Sequence, residues 1–510
     1  MEPLAISGRS LTVGNLVDVA RRGRKAALTA EAAAAIDASE AVVRDAVHAQ
    51  TPIYGVTTGF GKFADVVIPP DQLHDLQHNL LRSHAVGVGP VSSADVTRAI
   101  LLLRVNALAI GASGIRRQTV ELLLDVLNRG VLPVVPEKGS VGASGDLAPL
   151  AHLALPLIGE GEAVVEGERL PGAQALDRVG LKPIHLGPKE GLALINGTQL
   201  MTAIGALVLH DAWRLAKTAD VIGAMSVEAV RGTNQSFDAR IQNLRPHPGQ
   251  IASAANLRRL TEGSKLMASH RYDSHKVQDP YSLRCMPQVH GASRDALRYA
   301  TNVVEIEMNA ATDNPLVFAD SGDVISGGNF HGQPVGLAMD TAAIAIAELG
   351  GISERRVEAM LDPSFSELPP FLTMHAGVDS GYMVSQYTAA ALVSENKILC
   401  HPATVDSIPT SANQEDHVSM GTIAARKARE VLANCEIVLA IELLCAGEGL
   451  DYRRPMTASP AIEAVHRLLR EMVPHLEDDR AMYPDIEAAL DLVRSGKVLE
   501  TAEDHCDRLD

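Results

Sequence analysis

The sequence predicts a mainly α-helical protein: a long-helix bundle over residues 198–510, preceded by a smaller mixed domain over residues 1–197. Three observations carry this. Segments 198–229, 289–311, 334–361, 381–399 and 421–447 run on with few Gly or Pro and abundant Ala, Leu, Ile and Glu, the composition of packed helices. The first two hundred residues are instead punctuated by Gly and Pro into short pieces. Aromatic residues make up only 3% of the 510 against 46% hydrophobic overall, so the core is aliphatic.

In the N-terminal part, Thr29 opens a helix in which Ala32, Ile36, Val43 and Val47 share one face. Ser92 starts "SSADVTRAILLLRVNALAIG", an S-x-x-D capping pattern ahead of a second apolar helix. "VLPVVP" (131–136) and "EAVVEGERL" (162–170) read as pieces of small sheets or hairpins. The net charge of −17, with no Lys/Arg run, excludes nucleic acid as a partner. Five scattered cysteines without a C-x-x-C pair exclude a disulfide framework and a zinc knuckle. No basic leader precedes an apolar run, and no stretch reaches the ~20 apolar residues of a membrane span. A reducing cytoplasmic location, with no membrane partner, is the expectation.

The chemistry concentrates in "KGSVGASGDLAPLAHLAL" (138–155). Ser144 is not a hydrolase nucleophile, because Asp146 stands where the last Gly of G-x-S-x-G belongs. A phosphate loop also fails, since no Gly-Lys-Ser/Thr follows. What remains is a reaction of the backbone. Gly145 has no side chain, so its amide nitrogen can close on the Ala143 carbonyl. Loss of two waters, one of them from the Ser144 hydroxyl, then leaves an imidazolone with an exocyclic methylene. A second Ala-Ser-Gly at 112–114 warns that the tripeptide alone is weak evidence.

The wider string, "GSVGASGDLAPLAH", resembles the signature of the aromatic amino acid ammonia-lyase family, whose members build a methylidene-imidazolone (MIO) group from Ala-Ser-Gly. The resemblance continues through "YGVTTGFG" (54–61), "NGTQ" (196–199), "KVQDPYSLRC" (276–285), "SGGNFHGQP" (326–334) and "TSANQEDHVSMG" (410–421). It implies a fumarase/aspartase-like architecture, an MIO formed from Ala143, Ser144 and Gly145, no metal or dissociable cofactor, and a homotetramer whose sites are shared between subunits. Within the family the motifs are most similar to those of histidine-specific members, which implies elimination of ammonia from L-histidine to give trans-urocanate. The alternative is a tyrosine or phenylalanine ammonia-lyase or aminomutase of the same family.

Each string has a physical reading beside the resemblance. Asp279 reads as an N-cap and Pro280 as a first helical residue, so Tyr281 and Arg284 share a face of the first turn. A helix start plus a planar guanidinium suits a substrate carboxylate, and the resemblance places Gln278, Tyr281 and Arg284 in the site. It assigns β-proton removal to Tyr54, in a loop whose Gly59 and Gly61 suit a lid. Ser83-His84 stands where histidine-specific relatives carry the same pair, and one imidazole can hydrogen-bond another. Glu415 would hold the proton of a substrate imidazole. Glu415, Asp416 and His417 match no metal-ligand spacing. Asn196 resembles the residue that bonds the MIO carbonyl, an oxyanion-type partner, and Phe330 the aromatic packed beside it. Asp379 and Tyr382 depart from the Asn and Phe expected of close relatives, in a stretch that tunes either the pocket or a subunit contact.

Overall fold

Sparse Gly and Pro in the second half lets helices grow to about thirty residues. The computed structural model, which describes residues 1–63, 65–270 and 277–510, contains the helices Gln199–Ala229, Met286–Met308, Gln333–Leu361, Met383–Leu399 and Gly421–Asp451. The protein is mainly helical, with 60% helix and 8% strand. It folds as two units: residues 1–210, 300–340 and 402–426 form one, and residues 211–299, 341–401 and 427–510 the other. Four of the five long helices contribute residues to both.

The first unit holds every strand among the described residues. Leu4–Ile6 pairs in parallel with Ala26–Leu28, and Val88–Val91 runs antiparallel to Pro136–Lys138. Leu132–Pro133, Glu162–Val165 and Glu168–Pro171 form a three-stranded sheet, as the two short β-like strings suggested. Thr29 caps the helix Ala30–His48, its hydroxyl accepting from the Ala32 amide at 3.1 Å, and Ala32, Ile36 and Val43 are buried. The capping box at Ser92 is not formed. Ser93 is the N-cap residue of Ala94–Ala109 and makes no side-chain cap, because its hydroxyl donates to Asp95, whose carboxylate is also held by Arg21 at 3.0 Å. That helix is buried all round from Ala99 to Ala109, as a central helix should be. Its one buried cation, Arg104, is pushed down to about 10 by burial and donates to the Asn196 carbonyl at 2.8 Å and to Gln199 at 3.1 Å.

The second unit is built of helices and loops, with no named strand among its described residues. Two of its buried carboxylates, Glu442 and Asp220, are paired with buried arginines, as desolvation favours. Arg356 forks onto Glu442 at 2.5 and 2.8 Å, and the hydroxyls of Ser226 and Ser353 donate to the same carboxylate. Burial works to raise Asp220, but Arg294, His290 and Asn256 bring it down to about 2. The expectation of no membrane span rested on the lack of an unbroken run of ~20 apolar residues. Gln333–Leu361 is long and apolar enough, with a mean hydropathy of 1.5 over its best window. Isolated Gly and Glu residues hide this when only unbroken apolar runs are sought. Of that window 61% is buried inside the protein, as in a core helix.

Candidate active site

Two glycines at positive φ, Gly142 (+79°) and Gly145 (+78°), bracket Ala143-Ser144 and are themselves bridged as in a tight hairpin. Ser144 lies between them at φ +50°, a left-handed conformation that disfavours a residue with a Cβ. Ser113, in the other Ala-Ser-Gly, is not among the positive-φ residues. The identical tripeptides therefore differ in backbone shape. Gly145 is also pressed against Gly197: a Cβ on it would lie 2.1 Å from the Gly197 oxygen.

The turn is held from three sides. Asp146, fully buried, accepts from the Met201 amide at 2.9 Å, from the Thr422 hydroxyl, and from Ser140 at 3.1 Å. Burial raises this carboxyl, and those hydrogen bonds oppose the rise. The Met201 contact places the charge on the first turn of Gln199–Ala229, where an anion is favoured. The Asp146 amide donates to the Gly197 carbonyl at 2.6 Å, and the Met420 amide to the Val141 carbonyl at 2.9 Å.

The turn opens toward Glu415. The Ser144 hydroxyl donates to Glu415 Oε1 at 3.4 Å, while the Thr410 hydroxyl donates to Oε2 at 2.6 Å. Backbone bonds between Thr410 and Glu415, 3.0 and 3.3 Å long, close that loop. His84 ends the helix Leu73–His84 with Nδ1 3.0 Å from the Ser83 hydroxyl, which lies 3.2 Å from the Leu80 carbonyl. Burial lowers His84, opposed by the Leu80 carbonyl and the Glu415 carboxylate. His84, Glu415 and Ser144 thus form one neighbourhood.

Tyr54 is half-buried, and its hydroxyl accepts from the Gly61 amide at 3.2 Å. Gly61 is at φ +53°, and a Cβ there would meet the Ser411 hydroxyl at 2.8 Å. This seats the 54–61 loop on the segment that carries Glu415. Asn196 is buried; its Nδ2 donates to the Asn314 carbonyl at 3.0 Å and its Oδ1 has no partner among the described residues. Phe330 is half-buried in a turn. The next residue, His331, stacks on His417 with ring centroids 5.9 Å apart and reaches the His417 carbonyl at 3.0 Å. Sequence reasoning gave no role to this pair, nor to Ser140, Asp146, Thr410 or Thr422. All lie inside or beside the quoted motifs, but only contact distances single them out.

Gln278, Tyr281 and Arg284 belong to the second unit. Lys276, at the start of their motif, lies outside the described residues. Tyr281 is 71% exposed, and the Arg284 guanidinium sits over its ring at 4.6 Å. Arg284 Nε is buried without a partner among the described residues. The expected cap is absent. Pro280 is the N-cap residue of Tyr281–Arg284, and the Asp279 carboxylate instead accepts from the Thr233 amide at 2.7 Å. A four-residue helix has little dipole to offer an anion, so any carboxylate seat here rests on the guanidinium. Tyr281 also lines a cavity of about 520 Å³ with Pro280, Cys285, Arg355 and Phe365. Tyr382 is fully buried and its hydroxyl has no partner among the described residues, and the Asp379 carboxylate accepts from the Asp479 amide at 3.4 Å.

Residues 11–471 match the family model described as aromatic amino acid lyase. The chain is 58% identical over 496 residues to the histidine ammonia-lyase of Symbiobacterium thermophilum, covering 97% of each chain. It is 53% identical to that of Caldanaerobacter subterraneus, covering 99% of each. The crystal structure of histidine ammonia-lyase from Trypanosoma cruzi superposes with a TM-score of 0.92 at 44% identity, covering 99% of this chain and 96% of that one. Tyrosine aminomutase from Streptomyces globisporus superposes with a TM-score of 0.96 at 40% identity, covering 100% of both. The turn at Ser144, the carboxylate facing it and full-length similarity agree: this chain belongs to the aromatic amino acid lyase family.

Proposed function

We propose that the chain is a histidine ammonia-lyase, converting L-histidine to trans-urocanate and ammonia. The observation that carries this is the Ser144 turn with Glu415 and His84 beside it. The tyrosine aminomutase likeness means that fold alone does not choose a substrate; the side chains around the turn do. A half-buried imidazole held below the ordinary histidine value and a carboxylate form a polar pocket suited to an imidazole, whereas a phenyl ring would leave both unpaired.

The residues fit an MIO built from Ala143, Ser144 and Gly145: Gly145 leaves no room for a Cβ against Gly197, and Ser144 already holds the turn conformation. That group supplies an electrophile that no side chain offers. The chain's own residues do the rest. Asn196, whose Nδ2 spends one N–H on the Asn314 carbonyl, holds the ring carbonyl with the other, and Phe330 packs beside it. Ser83, His84 and Glu415 orient the substrate imidazole. Arg284 takes the carboxylate bidentately, with Gln278 and Tyr281 lining the site. Tyr54 removes the β-proton. Alignment of this kind contributes ~7–11 kcal/mol.

The active form is a homotetramer with sites shared between subunits, located in the cytoplasm. The exposure of Tyr281 supports sharing, as do Val384, Tyr387 and Ile398 left exposed on Met383–Leu399. The five cysteines are free, which suits a reducing compartment. The test is incubation with L-histidine, followed by urocanate absorbance. Wild type produces it and Ser144→Ala does not. Release of a cinnamate-type product from tyrosine, without urocanate from histidine, refutes the assignment.

A further inference from the structure

We infer that Arg104 is a positioning residue for the elimination: through Asn196 it fixes the direction of the one amide N–H that Asn196 has left to give the prosthetic ring. This rests on the reading that Asn196 holds the ring carbonyl of an MIO. Arg104 lies on the helix Ala94–Ala109, fully buried, and its Nη1 donates to the Asn196 backbone carbonyl at 2.8 Å and to Gln199 Oε1 at 3.1 Å. Its Nε and Nη2 have no partner among the described residues. Both acceptors are neutral oxygens, a costly setting for a buried cation. An apolar side chain would fill the same space at lower cost.

Asn196 is held from the other side as well. Its Nδ2 donates to the Asn314 carbonyl at 3.0 Å. The Asn314 amide donates to Asp313 Oδ1 at 2.7 Å, and Lys189 Nζ donates to Asp313 Oδ2 at 2.8 Å, with Lys189 and Asp313 fully buried. Lys189 and Asn196 flank the six-residue helix Glu190–Ile195, so adjacent residues grip its two ends. Gln199 Nε2 donates to the Thr312 hydroxyl at 2.7 Å, so the route through Arg104 also ends on residues 312–314. A carboxamide offers two N–H groups in one plane. With one aimed at Asn314, the other can only swing about that bond. Arg104 stops the swing by fixing the backbone carbonyl of the same residue. The packing leaves no slack: a Cβ on Gly197 would fall 2.4 Å from Gln199 Oε1, 2.6 Å from Arg104 Nη1 and 2.7 Å from the Thr312 carbonyl oxygen.

The experiment is a double-mutant cycle on the full-length chain. L-Histidine turnover, peptide mass across 143–145 and near-ultraviolet absorption are read on the same preparations, with folding followed by circular dichroism. Arg104→Met removes the donors and the charge at similar volume. It loses both waters like wild type, and its kcat falls ~10–10²-fold with KM little changed, the scale of a misplacement of about 1 Å. Asn196→Ala lowers kcat ~10²–10³-fold. The double variant is no slower than Asn196→Ala, because Arg104 then has nothing to aim. A hydrogen bond to a conjugated carbonyl shifts its absorption to longer wavelength. In ligand-free protein the ring's band therefore lies at shorter wavelength in Arg104→Met than in wild type, and the double variant matches Asn196→Ala. Arg104→Lys keeps the charge and a donor, loses a smaller factor in kcat, and carries the same cycle where Arg104→Met gives no folded chain. Losses that multiply in the double variant overturn the inference, as does wild-type kcat in Arg104→Met, or in Arg104→Lys where that alone folds. A folded Arg104 variant that keeps both waters also overturns it, because Arg104 would then act on the turn. Wild-type turnover in Asn196→Ala sinks the reading of Asn196 itself, which is a separate outcome.

Discussion

Replacing Gly145 by Ala tests the site at its narrowest point. At φ +78° a Cβ-bearing residue pays ~1–2 kcal/mol in backbone energy. The added carbon would also sit 2.1 Å from the Gly197 oxygen and 2.5 Å from its carbonyl carbon. These are backbone atoms and cannot rotate away. Regaining ordinary contact, near ~3.5 Å, requires a separation of about 1 Å or more. That movement breaks the 2.6 Å bond from the Asp146 amide to the same carbonyl, a further ~1 kcal/mol. Gly167→Ala is the control: its φ is +85° but nothing lies within 4 Å of the new carbon. The control costs only the backbone term, and it loses the same two waters and turns over like wild type. Gly145→Ala is destabilised by at least ~2 kcal/mol, keeps both water masses, and loses ~10²-fold or more in urocanate formation from misplacement alone. Thermal unfolding, intact mass and urocanate absorbance on the three proteins decide it. A Gly145→Ala enzyme that matures and turns over like Gly167→Ala refutes the argument that the turn's geometry drives the chemistry.

Burial holds His84 below the ordinary histidine value. Its stabilisation is therefore complete above about pH 6.5, the unfolded value, and is lost as pH falls through the folded one. Denaturation midpoints at about pH 8 and about pH 5 should fall further in wild type than in His84→Gln. Glu228, raised to about 7 by burial despite donors from Ser264 and Ser459, has the opposite sign. Its penalty is absent below about pH 4.5, grows through the folded value, and reaches on the order of 3 kcal/mol above it. Glu228→Gln should be the more stable chain at alkaline pH, with the gain vanishing in acid. Tyr382 buries a hydroxyl that has no partner among the described residues, so Tyr382→Phe should raise stability by ~1 kcal/mol, read as a shifted unfolding midpoint with unchanged turnover.

Local signals were legible and distant ones were not. Thr29 could be recognised as a cap because its partner, Ala32, is three residues away. Ser92 misled because the Asp95 carboxylate is claimed by Arg21, 74 positions earlier. Asp279 looked like a cap for the same reason: nothing near it in sequence announces Thr233. The long helices followed from composition, since Gly and Pro are local vetoes. The site is the extreme case. Ser144 and Glu415 are 271 positions apart, so no spacing rule joins them. The motif strings named these two residues as a set, but only the folded chain shows that the hydroxyl faces the carboxylate.

That contact has a consequence for substrate choice. Segments 139–146 and 410–422 are tied together by the Met420 amide on Val141 and the Thr422 hydroxyl on Asp146. Close packing adds to this, since a Cβ on Gly142 would meet Ser419 at 2.0 Å. One frame therefore sets both the strained turn and the Glu415 carboxylate facing it, the group proposed to read the imidazole. Its rigidity is what allows Ser144 to remain at φ +50°, because a looser loop would relax the turn. A substitution in 410–422 aimed at specificity consequently acts on the turn as well. The helix end carrying Ser83 and His84 has no such bond to the turn among those described. Changing specificity at His84 should leave both water losses intact, whereas Thr422→Val, which cuts the frame at Asp146, should not. Measuring prosthetic-group content beside substrate preference in the two variants separates a frame that serves both tasks from two independent devices.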